Sequence, residues 1–334
     1  MPQVQIADVV VPAEFTAYQV ENSMVNTALF QSGVLSRNGA IEAQLQAGAE
    51  SFTVPFWADL ADTEADITND DPTILSTPQK VTANKQNVRK SFLHQSWSEM
   101  SLASELSGSD ALARIQDRVS AYWDRQFSKR LIASLQGVLA NNVANNAGDM
   151  VVDISGNAGA AAQFNGDAVI DTAITMGDRL SDFKAIAMHS YVYSQALKNN
   201  DIEFFKPSEN GLEIATYKGM GVIVDDELTP ANGVYTTILL GYGAVGFAAS
   251  EPRTGFGTEL WRAPAAGNGG GQSVLHSRFN VGLHPLGFAW SDATGTANAI
   301  VGDSPSIAEL ANGAHWTRVV AQRKSVPLAF LISK

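Results

Sequence analysis

The chain of 334 residues contains no cysteine. This absence excludes disulfide bonds, thiolate chemistry and any zinc or iron–sulfur site with a cysteine ligand, and it fits a reducing cytosol. Positive charge is also scarce, since 22 Lys and Arg residues face 34 Asp and Glu residues and the formal net charge is -12 at pH 7. A field of this sign repels phosphate, so the composition argues against a dedicated nucleic-acid reader.

Long apolar runs are missing as well. No stretch reaches the roughly 18 consecutive apolar residues that indicate a membrane-spanning helix. The N-terminal sequence MPQVQIADVVVPAEF lacks the basic segment and apolar run of a secretory signal. We therefore expect no standard export signal and no membrane partner.

Two short fragments resemble catalytic motifs, but their surroundings argue against an enzyme. Gly241 to Gly246 spells G-x-G-x-x-G after an apolar strand, yet the next residues, Phe247 to Pro252, favour a strand over the helix that a dinucleotide site requires. Gly302-Asp303-Ser304 resembles the nucleophile block of one esterase family, but Asn312 stands where an Asp-x-x-His motif before His315 needs Asp. Neither a nicotinamide-dependent enzyme nor an esterase is the preferred interpretation, and we predict no catalytic residue.

Metal and cofactor motifs are absent too. The acids at 225–227 are consecutive and point in different directions, which favours an acidic turn over a cation site. The five histidines show neither H-x-H nor H-E-x-x-H spacing, and no phosphate-binding G-x-x-x-x-G-K-[ST] motif occurs. The sequence therefore predicts no metal and no cofactor.

Residues 50–97 predict a long two-stranded ribbon. Phe52, Val54 and Phe56 alternate as in a half-buried strand, and a return strand is expected from about Gln79 to Trp97. An isolated ribbon is marginal in water, so we expect this one to lie on another molecule.

Charge and apolar residues on the ribbon suggest how it would dock on another molecule. We expect the apolar side chains to supply affinity and the charged ones to set the register, because single rim ion pairs contribute only about 0 to 1 kcal/mol. The alternative is that the acidic run is a solvated loop tip. The predicted contact residues are Phe52, Phe56, Trp57, Asp59, Asp62, Glu64, Asp66, Lys80, Lys85, Arg89 and Lys90.

A long amphipathic helix is predicted over residues 110–141, with Ser109 as its N-cap. Apolar residues from Leu112 to Val138 recur every three or four positions on one face, and the opposite face carries basic residues including Arg125, Lys129 and Arg130. At this spacing Trp123 and its aromatic neighbours favour packing over a stacking platform for single strands. Beyond a Gly- and Ala-rich boundary, helices are predicted at 168–180, 191–199 and 306–314, with strands between them.

The order of these parts, together with three stretches of local sequence, resembles the major capsid (coat) proteins of tailed bacteriophages, which have the Hong Kong 97 fold. The stretches are DRVSAYWDRQFSKRLIASLQGVLANN (117–142), AIAMHSYVYSQALKNN (185–200) and GLEIATYKGMGVIVDDELTP (211–230). The resemblance implies an α+β fold with an N-terminal arm at 1–48, an extended hairpin loop at 49–98, a peripheral domain with its spine helix at 99–165 and 275–334, and an axial domain at 166–274.

The resemblance also implies a function. A coat protein of this family self-assembles through pentamers and hexamers into the icosahedral head that encloses double-stranded DNA, in the bacterial host cytoplasm. Its expected partners are further copies, a portal protein, a separate scaffolding protein, and in some members a decoration protein. A separate scaffold is expected because Met1 leads directly into the expected arm. An encapsulin-like nanocompartment shell is the alternative, because it has the same fold. It differs in that it encloses enzymes and not DNA.

Two finer expectations follow from the same resemblance. The basic residues Arg125, Lys129 and Arg130 are predicted to face the particle interior and to contact DNA weakly and without sequence specificity. A shell wall with a net negative charge would not bind packed DNA tightly. Some members cross-link a Lys to an Asn of another subunit, but a Lys on a solvated strand is ordinary, so no cross-link is predicted here.

Overall fold

The computed structural model describes residues 35–37, 39–60, 63–68, 70, 71, 73, 75, 78–205, 214–292 and 300–334. The first 34 residues of the predicted N-terminal arm, and the predicted contact residue Asp62, lie outside the described residues. Helices and strands are mixed along the described chain, as the predicted α+β class requires. The strands form two large sheets.

The described strands and helices are as follows. The strands are β1 (Leu35–Arg37), β2 (Ser51–Trp57), β3 (Ala83–Met100), β4 (Val151–Asp153), β5 (Phe183–Met188), β6 (Ile202–Phe205), β7 (Ile214–Tyr217), β8 (Met220–Val224), β9 (Tyr235–Gly241), β10 (Val245–Ser250), β11 (Thr258–Ala263), β12 (Gln272–Pro285), β13 (Phe288–Trp290), β14 (Trp316–Arg318) and β15 (Leu328–Ser333). The helices are α1 (Gly39–Leu45), α2 (Ser101–Ser107), α3 (Ala111–Asn145), α4 (Gly166–Ile174), α5 (Ser190–Lys198) and α6 (Ile307–Leu310).

Sheet 1 contains β1, β10, β12, β3 and β2 in that order, with β11 also paired to β12. The strand β3 has 18 residues and changes partner along its length. Residues 83–89 pair with β2, whereas residues 90–100 pair with β12. The ribbon, defined as β2 with residues 83–89, is therefore a continuation of sheet 1.

The predicted ribbon is confirmed, but its limits differ from the prediction. Side chains of β2 alternate between exposed and half-buried, as the sequence pattern indicates. The return strand begins at Ala83 rather than near Gln79, because β2 ends at Trp57 and offers no partner to the preceding residues. It also continues to Met100, since its second part has the partner β12. The described residues between 58 and 82 contain no helix or strand.

Sheet 2 has seven strands in the order β4-β15-β9-β5-β8-β7-β6. On one face, Val169 of α4 and Val192 of α5 join a buried cluster with sheet residues such as Leu239. On the other face, Leu135 of α3 belongs to a second buried cluster, which includes Phe330 of β15. Sheet 2 is thus covered by helices on both faces, which explains why its central strands are almost entirely apolar.

The helix α3 is the predicted spine helix and links both sheets. It has 35 residues, so it is about 50 Å long. Its N-cap is Asp110, which accepts a hydrogen bond from the backbone N–H of Ala113 at 2.9 Å, and the prediction of Ser109 as N-cap was wrong. Trp123 in its first half packs against sheet 1, and its indole N–H donates to Ser277 Oγ at 2.9 Å.

The two sheets do not follow the predicted division of the chain at residues 274 and 275. Strands β10 and β11, within the predicted axial segment, belong to sheet 1. Strand β15, within the predicted peripheral segment, lies between β4 and β9 in sheet 2. The sequence segments that form the two sheets are therefore interleaved.

Three predicted helix limits also need correction. The helix predicted at 168–180 ends at Ile174, and a 3-10 turn follows Gly177, whose φ of 62° interrupts the α-helix. The helix predicted at 191–199 is observed at Ser190–Lys198, and its N-cap is His189, whose Nδ1 accepts from the N–H of Tyr191. The last predicted helix is limited to four α-helical residues after the N-cap Ser306.

Candidate assembly surface

The ribbon and the residues beyond its end expose large apolar side chains. Trp57 is 74% exposed, Leu60 is 66% exposed and Ile67 is 87% exposed. Phe52 and Phe56, on the other face of β2, are half-buried. Exposed apolar groups that are close together in the chain are typical of a surface that another molecule covers.

The acids of the same segment point into solvent. Asp59, Glu64, Asp66 and Asp70 are exposed. Asp71 is also exposed, and hydrogen bonds from the hydroxyl and backbone N–H of Thr73 lower the pKa of its carboxyl. The lysines Lys80 and Lys85, near the same segment, are also exposed.

Arg89 and Lys90 lie elsewhere than predicted. Arg89 is buried at the root of the ribbon, where its guanidinium contacts Glu50 at 2.7 Å and Asp292 at 3.4 Å. Lys90 is 1% exposed and its ammonium donates to the carbonyl oxygen of Ala47 at 2.6 Å. Desolvation lowers the pKa of Lys90. The expectation that these two charges face another subunit was wrong, because β3 enters sheet 1 at this point and the charges are used within the subunit.

The three basic residues of α3 that were predicted to contact DNA also lie in different environments. Arg125 is partly exposed. Lys129 lies 3.9 Å from Glu227. Arg130 is buried, and its guanidinium donates to Ser91 Oγ at 3.2 Å and to the carbonyl oxygen of Pro305 at 3.0 Å. The prediction for Arg130 was wrong, because the chain around residue 305 folds over this side of the helix.

An open cleft of about 730 Å³ separates the ribbon from the body of the subunit. Thr53, Pro55 and Lys85 line its ribbon side, and Trp290 and Thr317 line its body side. The cleft lies beneath the part of the ribbon that has no neighbouring strand, so it provides room for a segment of another molecule.

The fragments that resemble catalytic motifs have structural roles. The G-x-G-x-x-G sequence is the turn from β9 into strand β10, which confirms the predicted strand and lacks the helix of a dinucleotide site. Ser304 Oγ accepts from the N–H of Phe92 at 2.8 Å. The ring of His315 stacks on Trp290 at 4.8 Å, and its Nδ1 lies 3.0 Å from the carbonyl oxygen of Ser291.

The acids at 225–227 form a turn. Asp225 accepts from the N–H of Glu227 at 3.0 Å. Asp226 accepts from the N–H of Ser190 at 3.0 Å, and hydrogen bonding to Ser190 lowers the pKa of this carboxyl. The described residues form no group of three or more potential metal ligands. No helix within the described ranges has both the length and the apolar character to cross a membrane.

A protruding ribbon, a spine helix that joins two sheets and a helix-covered second sheet define a shell protein of the Hong Kong 97 fold. The chain matches the family model Gp13-like, "Major capsid protein 13-like", over residues 109–327. It is also 34% identical over 331 residues to the major capsid protein of Bacillus phage SPP1, covering 97% of this chain and 96% of that protein. The chain belongs to this family of phage major capsid proteins.

Solved structures show the same fold at low sequence identity. The capsid of cyanophage Pam1 matches with a TM-score of 0.60 and 10% identity, covering 96% of each chain. An encapsulin complex from Synechococcus elongatus matches with a TM-score of 0.53 and 12% identity, covering 96% of this chain and 91% of that one. The fold is therefore shared by phage capsids and an encapsulin, and the family match distinguishes between them.

Proposed function

We propose that this protein is the subunit of an icosahedral phage head and that it assembles through pentamers and hexamers around double-stranded DNA. The observation that carries the proposal is the ribbon, since a subunit that exposes Trp57, Leu60 and Ile67 on an extension gains stability when a second copy covers them. The extensive similarity to a phage major capsid protein supports the same conclusion.

In this proposal the ribbon is the extended loop that lies across a neighbouring subunit. Sheet 1 with the first half of α3 forms the peripheral region, and sheet 2 with α4 and α5 forms the axial region. The interleaved strands support axial-domain boundaries different from 166–274. In this proposal β10 and β11 belong to the peripheral region, and β15 belongs to the axial region. The N-terminal arm is proposed at residues 1–48, as the family resemblance implies.

The inter-subunit contacts are proposed to combine apolar affinity with charge. Phe52, Phe56 and Trp57 supply the apolar part. The exposed acids Asp59, Asp66 and Glu64, with Asp62, would pair with the bases of another copy, for which Lys80 and Lys85 are the available candidates on the ribbon. Each such exposed pair contributes only about 0 to 1 kcal/mol, so the pairs would select a register rather than drive assembly.

DNA contact is proposed for Arg125 and Lys129 alone. Both side chains are partly exposed, and they stand on the basic face of α3 in a chain of net charge -12. A contact of this kind is weak and depends strongly on salt concentration. Reversing both charges and measuring the DNA packaged per particle tests it, and unchanged packaging would remove this part of the proposal.

The remaining partners follow from the family alone. We propose assembly in the bacterial host cytoplasm with a portal protein and a separate scaffolding protein, and incorporation into the virion. We propose a structural rather than a catalytic role, because Gly241 to Gly246 form a turn between two strands, and Ser304 and His315 make contacts within the fold. An encapsulin-like compartment remains the second candidate because of the fold shared with the Synechococcus elongatus complex.

Electron microscopy of particles purified from infected cells, combined with nuclease protection, tests the proposed function. Closed icosahedral particles that protect double-stranded DNA are expected. Closed particles filled with protein cargo and free of DNA would favour the encapsulin-like alternative. A soluble monomer that forms no particles under any assembly condition would contradict both.

A further inference from the structure

The two edges of the ribbon differ in their capacity to accept another strand. The backbone N–H of Ala58 donates to the carbonyl oxygen of Thr82 at 2.8 Å, in the register that pairs β2 with β3. In an antiparallel pair such bonds join alternate residues, so the even-numbered residues of both strands bond across the ribbon and the odd-numbered ones direct their backbone groups outward. Pro55 is one of the outward-directed residues of β2 and has no N–H, so it interrupts that edge.

The edge of β3 that faces the cleft is not interrupted. Its outward-directed residues are Ala83, Lys85 and Asn87, each of which has a backbone N–H as well as a carbonyl oxygen. Residues 90–100 of the same strand use this side to pair with β12, but no described strand pairs with it at residues 83–87. An unpaired edge of this kind is a template for strand addition.

The cleft beside this edge has the dimensions of a short strand. Its volume is about 730 Å³. A strand residue in a packed sheet occupies about 3.3 Å along the strand, about 4.8 Å between strands and about 10 Å between faces, so the cleft holds about four or five residues. Lys85 is the one charged residue among the described residues that line it. An extended segment with a negative charge therefore fits this lining.

The N-terminal segment contains a stretch with these properties. Residues 3–11, with the sequence QVQIADVVV, are rich in β-branched side chains and lie between Pro2 and Pro12, a pattern that predicts one strand. Asp8 lies within this stretch, and residues 1–34 contain no Lys or Arg. The stretch thus matches the cleft in its predicted backbone conformation and in its charge.

The position of β1 favours a second copy as the source of this strand. The described chain begins at Leu35 of β1, and β1 and β2 are the two edge strands of sheet 1. The N-terminal segment therefore joins sheet 1 at one edge, whereas the ribbon and its cleft lie at the other. Copies arranged head to tail bring two different edges together. Residues 12–34 span up to about 75 Å when extended, which is sufficient for a contact between neighbouring copies.

We propose that residues 3–11 of a second copy bind in this cleft as an added strand on the edge formed by Ala83, Lys85 and Asn87. Backbone hydrogen bonds to this edge supply affinity, and the charge of Lys85 favours an acidic segment. The added strand lies between the ribbon and the body of the subunit and joins the two copies. This binding mode rests on the proposed assembly of the subunits into particles.

Photo-cross-linking in assembled particles tests the contact. The photoreactive residue p-benzoylphenylalanine replaces Thr53, which is exposed and lines the cleft. Mass spectrometry then identifies the linked peptides in particles assembled from a mixture of nitrogen-15-labelled and unlabelled chains. Links from position 53 of one chain to residues 3–11 of another are expected. The same replacement at Arg253, which is exposed and outside the cleft lining, is expected to give no link to residues 3–11.

Hydrogen exchange provides a second measurement. The backbone amides of Ala83, Lys85 and Asn87 are expected to exchange about tenfold more slowly in wild-type particles than in particles of a chain that lacks residues 2–11. If the shortened chain forms no particles, the cross-linking result decides.

Particles in which position 53 links only to other segments, only to residues 3–11 of its own chain, or to no peptide would overturn this binding mode and leave the proposed assembly intact. Failure of the wild-type chain to form particles would overturn both.

Discussion

Gly137 of α3 packs directly against Trp316 of β14. A Cβ atom at position 137 would overlap the indole ring of Trp316 and the carbonyl oxygen of Leu310, to which the same indole N–H donates at 2.8 Å. Four residues further along the helix, Asn141 donates its side-chain amide to the carbonyl oxygens of Gly313 and Trp316. The C-terminal half of α3 thus packs on residues 310–316 through the contact of Gly137 with Trp316 and through the hydrogen bonds of Asn141.

Replacing this glycine should destabilise the subunit. We expect Gly137→Ala to lower the free energy of unfolding by about 2 to 3 kcal/mol, because the added methyl group pushes backbone and ring apart in a closely packed core. Chemical denaturation of the soluble subunit measures the effect. Gly156→Ala is the matched control, since no atom lies within 4 Å of the added Cβ, and we expect a change of about 0.5 kcal/mol or less. Equal stabilities for the two variants would refute the packing argument.

The root of the ribbon depends on Arg89. We expect Arg89→Met to speed amide hydrogen exchange across residues 51–57, because the variant loses the contacts to Glu50 and Asp292 and the donation to the carbonyl oxygen of Asp303. Hydrogen exchange followed by mass spectrometry makes the comparison. Lys85→Met, on an exposed part of the same strand, should leave the exchange rates of β2 within about twofold of wild type.

Stability should decrease in mild acid because of His284. Burial lowers its pKa from 6.5 to about 4, so the unfolded chain takes up this proton at a higher pH than the folded chain. The free energy of unfolding therefore falls as the pH drops from 6.5 towards 4, and this one group accounts for about 2 kcal/mol between pH 7 and pH 5.

Denaturant titrations at those two pH values measure the loss. We expect His284→Gln to remove most of the dependence. A variant of the partly exposed His276, changed to Gln, should retain most of it. Equal free energies of unfolding of the wild-type protein at both pH values would contradict the assignment of His284 as buried and neutral.

A variant of Trp57 can test assembly without disturbing folding. Because its side chain is exposed in the subunit, we expect Trp57→Ser to change the free energy of unfolding by about 0.5 kcal/mol or less while reducing the yield of particles at least tenfold. Sedimentation measures the yield, and Trp57→Phe should restore a substantial part of it. Normal particle yield from Trp57→Ser would exclude this residue from the inter-subunit contact.

The elements with strong local patterns could be predicted from the sequence. The alternation around Phe52 and the three- to four-residue spacing from Leu112 to Val138 identified the ribbon and the spine helix, because both periodicities are properties of consecutive residues. The interleaving of the sheets could not be predicted, since β15 pairs with a strand about 90 residues earlier in the chain, and long-range pairing has no local signal.

The charged residues were misplaced for a related reason. Arg89, Lys90 and Arg130 stand at positions that a local pattern assigns to the solvent. Each is buried by a segment distant in sequence, such as residues 303–305 over Arg130, or by the change of partner of β3. Lys80 and Lys85 lie beyond any such segment and are exposed.

The most direct test of shell assembly through the ribbon is electron microscopy of a chain that lacks residues 60–77, expressed under conditions in which the wild-type chain forms closed shells. We predict a soluble subunit with a wild-type melting midpoint and no closed shells, because the deletion leaves both sheets intact and removes the exposed extension. Closed shells of normal size and yield from the deleted chain would contradict the proposed role of the segment that extends beyond the ribbon in assembly.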